Sequence, residues 1–117
     1  MTGDPSKKSN LCLPSKVETM LGFCLRSNNF MLGRERIFKS RSNLQFIWIT
    51  EDTSENSKNE ILEKFTDYPI ICFSQSETLS KVVRISNAKI LGFKKSQLSK
   101  SIYQAMKSYR INLPPHQ

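Results

Sequence analysis

The run from Leu44 to Thr50, LQFIWIT, constrains this chain more than any other stretch. Its apolar side chains follow one another almost without alternation, and a strand apolar on both faces has to be covered on both. That puts it at the centre of a sheet held between two layers. Upstream, Val17, Met20, Leu21, Cys24 and Leu25 recur at helical spacing, the stripe of an amphipathic helix. Ser15 and Glu18 offer it an S-x-x-E capping box, and Ser27, Asn28 and Asn29 end it, because asparagine tolerates the left-handed conformation that closes helices. Phe30 to Leu32 reads as a short strand, and a basic helix follows from Arg34 to Arg41 with only Ile37 and Phe38 facing inward.

Downstream, Asp52, Thr53 or Ser54 is placed to cap a helix reaching Phe65, with Ile61, Leu62 and Phe65 on its inner side. Ile70 to Phe73 is a second buried strand. Ser76 caps a short helix with Leu79, Val82 and Val83 inside, Arg84 to Asn87 is a loop, and Ala88 to Phe93 is another main strand. Ser96 then caps a last helix whose stripe is Leu98, Ile102, Ala105, Met106 and Tyr109. Strands alternating with helices predict an α/β chain: a three-layer αβα sandwich with a mixed, about four-stranded central sheet. The expected boundaries are a flexible tail over 1–13, one folded domain over 14–110 and a second tail over 111–117.

Charge narrows the partner. The formal net charge is +8 over 117 residues, and it is segregated. Residues 1–50 hold eight Lys and Arg against three acids, residues 51–75 two against six, and residues 76–117 eight against one. Two basic blocks around an acidic one predict a basic face with an acidic back, suited to a polyanion. No apolar run approaches the roughly 18 residues that span a bilayer, and MTGDPSKKSN contains no secretory signal, so a soluble, cytoplasmic protein is expected. Cys12, Cys24 and Cys72 are odd in number and lack CxxC spacing, which favours free thiols over disulfides or zinc.

Several chemistries lose their residues. The one histidine, His116, is in the C-terminal stretch, and neither a P-loop nor a GxGxxG fingerprint occurs, so no histidine triad, multi-histidine metal site or small-molecule cofactor is expected. Glu51 and Asp52 diverge at a strand end and do not make an acid pair. Trp48 is a packing residue in the core strand. Gly33 stands out instead: a residue without a Cβ can take positive φ and lets another backbone approach closely, and Arg34, Arg36, Lys39 and Arg41 follow just after it.

The run LGFCLRSNNFMLGRERIFK followed by LQFIWITEDTSENSKNEI resembles the ribosomal L-seven-Ae and L-thirty-e superfamily, and within it the bacterial YlxQ-like branch. That branch shows LLGLAxRAG, then KLVxGxExxxKAI, then a strand ending in xxDASxNTxKKI. The matches are Leu21, Gly22, Arg26, Gly33, Glu35, Lys39, Asp52, Ser54, Asn56 and Lys58, and the likeness spans about residues 17 to 106. It implies a non-catalytic protein that binds structured RNA, a kink-turn or related internal loop, in a ribosome- or translation-associated setting. Carried over by position, GxNExxK gives Gly33 and Lys39, with Glu35 at the Asn position and Arg36 at the Glu position. The loop that covers the RNA bend corresponds to Ile85, Ser86, Asn87 and Ala88, with Arg84 where the family has glycine.

The RNA-contacting residues so implied are Asn29, Gly33, Arg34, Glu35, Arg36, Lys39, Arg84, Ile85, Ser86 and Lys89. They require the Gly33 turn and the loop near Ile85 to share a surface, with the acidic block turned away. The implied partners are structured RNA, including ribosomal RNA, and ribosomal or ribonucleoprotein components, with no membrane. The alternative is a protein-interaction module of the same fold that presents its basic face to an acidic protein or a ribosomal surface.

Overall fold

The structure, a computed structural model, describes residues 13–86 and 88–112. In chain order the elements are α1 (Ser15–Ser27), β1 (Phe30–Leu32), α2 (Arg34–Lys39), β2 (Leu44–Ile49), α3 (Glu55–Lys64), β3 (Ile70–Cys72), α4 (Ser76–Val83), β4 (Ile90–Lys94) and α5 (Gln97–Met106). Short 3-10 turns at Arg41–Asn43 and Lys107–Tyr109 follow α2 and α5. The sheet has four strands in the order β1-β4-β2-β3; β2 pairs parallel with β3, and β4 antiparallel with both β1 and β2. The expected mixed sheet between helical layers is what forms.

Each face of the sheet carries its own core. Phe46, Trp48, Leu91 and Phe93 point toward α1, α4 and α5, where they meet Leu21, Cys24, Leu79, Val83 and Ile102. Leu44, Ile47, Ile49 and Ile90 point the other way, toward Ile37 of α2 and Ile61 and Phe65 of α3. Strand alternation alone would put Leu44 and Phe46 on one face. A register irregularity between them relative to β4 sends them to opposite cores, as a bulge does. Trp48 is fully buried and donates its indole N–H to the Phe73 carbonyl at 3.0 Å.

Several local expectations are corrected. The capping box at α1 does not form: Pro14 occupies the N-cap position with no side-chain bond, because Ser15 is already helical and one position too late. Ser76 likewise is the first residue of α4, and Gln75 precedes it as the cap position. α2 stops at Lys39, two residues early, and β4 begins at Ile90 and not at Ala88. On α5, Ala105 is exposed and Tyr109 lies beyond the helix at 39% exposure. Ser54 does cap α3 and Ser96 does cap α5, each accepting from the amide three residues on. Asn28 closes α1 in the left-handed conformation at φ 59°.

Described residues outside the expected 14–110 bounds also pack on the fold. Leu13 is buried at 4% exposure. Beyond residue 110, Ile111 donates its amide to the Ile70 carbonyl at 2.8 Å. The Asn112 side chain accepts from the Ile70 amide and donates to the Tyr68 carbonyl. Together with a bridge between Ile71 and Arg110, these bonds cover the outer edge of β3. Cys12, Asn87, Pro114, Pro115 and His116 lie outside the described residues.

Candidate nucleic-acid interface

Topology gathers three helix starts and one loop at a single end of the sheet. β1, β2 and β3 finish there and lead into α2, α3 and α4, while β4 begins there, since Leu32 pairs with Leu91 and Ile49 with both Ile90 and Cys72. Gly33 adopts φ 95° and ψ 149°, a conformation that L side chains resist. In that geometry its amide donates to the Ile90 carbonyl at 3.1 Å and its carbonyl accepts from Ile37 at 3.2 Å. The turn into α2 is thus tied to the start of β4. The loop preceding β4 is tied to the same end, because the Lys89 carbonyl accepts from the Thr50 amide at 2.9 Å and from the Thr53 hydroxyl at 3.3 Å.

The motif residues after β2 build this end and do not reach out of it. Asp52 accepts from the Ser76 amide at 2.9 Å and the Ser76 hydroxyl at 2.6 Å, so it serves α4 while Ser54 serves α3. Partial burial alone would raise the Asp52 carboxyl, but hydrogen bonds from the Ser76 side chain and backbone and from Thr50 outweigh it and hold the carboxyl below its ordinary value of 3.8. Lys58 donates to the Glu51 carbonyl at 3.0 Å. Asp52, Ser54 and Lys58 therefore lock the loop between β2 and α3.

The side chains of α2 give the interface its sign. α2 has six residues, so its positive field comes from Arg34, Arg36 and Lys39 more than from aligned peptide dipoles. Leu32, Gly33, Arg34, Glu35 and Arg36 line one cleft beside the turn. Ile85, Ser86 and Arg84, with Ser76, Glu77, Ser80 and Lys81, line a separate shallow depression of about 450 Å³ along α4. Arg84 is left-handed at φ 60°, Ile85 donates its amide to the Ser80 carbonyl, and the Ser80 hydroxyl accepts from the Ala88 amide at 3.0 Å. Ile85 is half-buried against the α1 side core. Asn29 is elsewhere: it closes α1 at the opposite end of β1, donating to the Ser27 hydroxyl and accepting from the Lys94 amide.

The expectation of an acidic back is overturned at one point. α2 and α3 pack side by side on the same face, with Phe38 stacked on Phe65 at 5.0 Å, and this brings Glu60 of α3 onto Arg34 of α2 as an ion pair. Glu51 and Asp52 sit in the loop at the same sheet end. Among the described residues, ion pairs engage Arg34, Lys58 and Lys64, and none of Arg36, Lys39, Arg84 or Lys89. The surface is mixed in sign: Arg34, Arg36 and Glu35 line the cleft at the turn, Lys81, Arg84 and Glu77 line the depression along α4, and Glu60 neutralises Arg34.

Burial pushes the Cys24 thiol up to about 11 and raises Cys72 as well, which leaves both poor nucleophiles. Among the described residues no three His, Cys, Asp or Glu side chains group as metal ligands, and no helix is long and apolar enough to cross a membrane.

No protein-family model matches the chain, and no curated protein matches it. Solved structures do. A protein of unknown function from Bacillus halodurans superposes with a TM-score of 0.72 at 17% identity, over 78% of this chain and 96% of that one. The 15.5kD RNA binding protein of Giardia lamblia superposes with a TM-score of 0.61 at 11% identity, over 91% of this chain and 98% of that one. The chain therefore shares its fold with both proteins, over nearly the full length of each.

Proposed function

We propose that this protein binds structured RNA, without catalysis, through the Gly33 turn, α2 and the loop that leads into β4, and that it recognises a kink-turn or related internal loop in ribosomal or other ribonucleoprotein RNA. The observation that carries the reading is that Arg36, Lys39, Arg84 and Lys89 belong to two segments tied together by the Gly33 to Ile90 hydrogen bond, yet among the described residues none of the four is in an ion pair with a carboxylate. The shared fold with a protein named for RNA binding supports it further. In this reading Gly33 lets a nucleotide approach the backbone, Arg36 donates to a guanine edge or a phosphate, and Lys39 grips a phosphate. Glu35 accepts from base amino groups, Ile85 and Ser86 cover the bend, and Arg84 and Lys89 hold the loop against the strand. Arg34 contributes less than its charge suggests because Glu60 holds it.

The test is fluorescence anisotropy with a hairpin containing an internal loop of sheared G·A pairs and with a plain duplex of equal length, from 50 to 300 mM KCl. The bent RNA should bind more tightly, and affinity should fall with salt at a log slope of roughly 0.7 to 0.9 per phosphate contact. Lys39→Ala should lower that slope by about one. Equal binding of both RNAs removes the kink-turn assignment. Binding of neither, with retention on an acidic protein surface, favours the protein-interaction module.

A further inference from the structure

A second cleft lies at the other end of α2, where the motif residues Arg36 and Lys39 meet a residue that no sequence motif singled out, Lys94. Asn28, Phe30, Met31, Arg36, Lys39, Ser40 and Lys94 line a space of about 260 Å³ over the edge strand β1. Three of these residues are cations and none is a carboxylate. They come from separate elements: Arg36 and Lys39 are three apart on α2 and so share one helix face, and Lys94 is the last residue of β4. Along β4, Ile90 packs in the α2 side core and a Cβ on Gly92 would meet Ile37. Lys94, two residues further on, leans to the same side by strand alternation. None of the three cations takes part in an ion pair among the described residues.

The cleft's size and position indicate its ligand. It is smaller than the roughly 300 Å³ at which small-molecule pockets begin, it is open, and half-buried Phe30 and buried Met31 contribute to it. Such a place suits a compact anion carried by a larger molecule. Arg36 also lines the cleft beside Gly33, so the two clefts share one cationic residue. A six-residue helix is about 9 Å long, and that length separates the Gly33 turn from the Lys39 and Lys94 end.

We propose that this cleft is a second anchoring site for the backbone of the same RNA, in which Lys94 with Lys39 and Arg36 holds a phosphodiester of the strand as it leaves the Gly33 turn along β1. The proposal rests on the RNA-binding reading and adds a residue, Lys94, and a direction for the bound strand. Lys94 touches the phosphate and supplies position and affinity, while base recognition stays at the turn.

The experiment uses the full chain and the same labelled hairpin, with and without its flanking duplex arm, at several KCl concentrations. Lys94→Gln should reduce the salt slope by about 0.7 to 0.9 with the long hairpin. Lys94→Arg should restore it, and Lys100→Gln, which removes the same charge from the exposed face of α5, should leave it unchanged. Trimming the arm should abolish the Lys94 effect. On the unsubstituted chain, acylation of lysine amines read by mass spectrometry should show Lys94 protected by the hairpin and Lys100 not protected, which does not depend on any variant folding. If Lys39→Ala lowers the slope while Lys94→Gln does not and Lys94 stays reactive, the second site falls and the RNA-binding reading survives. Equal loss in Lys100→Gln means net charge alone acts, and also overturns the site. If the unsubstituted chain binds neither RNA, both fall together.

Discussion

One added methyl group at Gly92 tests the packing that carries α2. Gly92 is buried in β4, and a Cβ there would lie 2.8 Å from Cγ1 of Ile37 and 3.0 Å from Cδ1 of Leu44, well inside the ordinary carbon contact of about 3.5–4.0 Å. Leu44 can turn its terminal methyl away. Ile37 cannot yield so easily, because it is fully buried and is the one buried side chain of α2; α2 itself must move outward. Overpacking of this kind costs about 1–3 kcal/mol, and replacing glycine returns about 0.4–1 kcal/mol through the unfolded chain. The expected net destabilisation for Gly92→Ala is about 1–2 kcal/mol, a fall in Tm of roughly 5–10 °C for a domain of this size, read by circular dichroism. Ile37→Ala removes the crowding Cγ1 along with Cδ1, so the double variant should lose less than the sum of the singles, with a coupling of about 0.5 kcal/mol or more. A Tm at or above the parent's, or strict additivity, refutes the claim that β4 seats α2 through Gly92.

Two further outcomes follow from the loops at the same sheet end. Arg84 is a non-glycine residue held left-handed, so Arg84→Gly should stabilise the fold by up to about 1 kcal/mol, seen as a higher urea midpoint, and on the proposed RNA-binding reading should weaken binding by the loss of one cation; a lower midpoint contradicts the strain argument. Asp52→Ala should cost about 1 kcal/mol by removing the partner of the Ser76 amide. Because the folded Asp52 carboxyl titrates below its ordinary value of 3.8, its stabilisation is complete above that value and is lost as pH falls through the lower folded value. The acid limb of the stability profile, followed by urea titration from pH 6 to 2, should therefore flatten in Asp52→Asn; an unchanged limb assigns the acid sensitivity to other carboxylates.

The sequence exposed most of the layering and less of the surface. Trp48 and its neighbours announced a strand with two covered faces, and the helical stripe from Val17 to Leu25 announced its helix, because those signals depend only on local periodicity. The pairing of Arg34 with Glu60 could not be read in the same way. It depends on α2 and α3 choosing the same face of the sheet, which connection and handedness decide. The bulge near Gln45 hid behind a run in which every face looked apolar. Asp52 was readable as a cap but not as the cap of α4, since Ser76 is 24 residues away. The match at Asp52, Ser54 and Lys58 therefore reports loop closure more than nucleotide contact. Gly92 did leave a signal: a lone glycine inside a strand pattern marks close backbone or side-chain approach. Lys94 left none, because its meaning comes from facing Arg36 and Lys39 across a fold.

The two margins of the sheet are finished differently. At β3 the segment from Arg110 to Asn112 takes the amide and carbonyl of Ile70 and bridges to Ile71, so a foreign strand finds less there to template on. The β1 margin is only three residues long and is flanked by Arg36, Lys39 and Lys94, and short, cationic margins repel a second copy of themselves. At high local concentration neighbouring molecules are thus hindered from zipping into filaments: one margin is partly covered by the chain itself, and the other is charged.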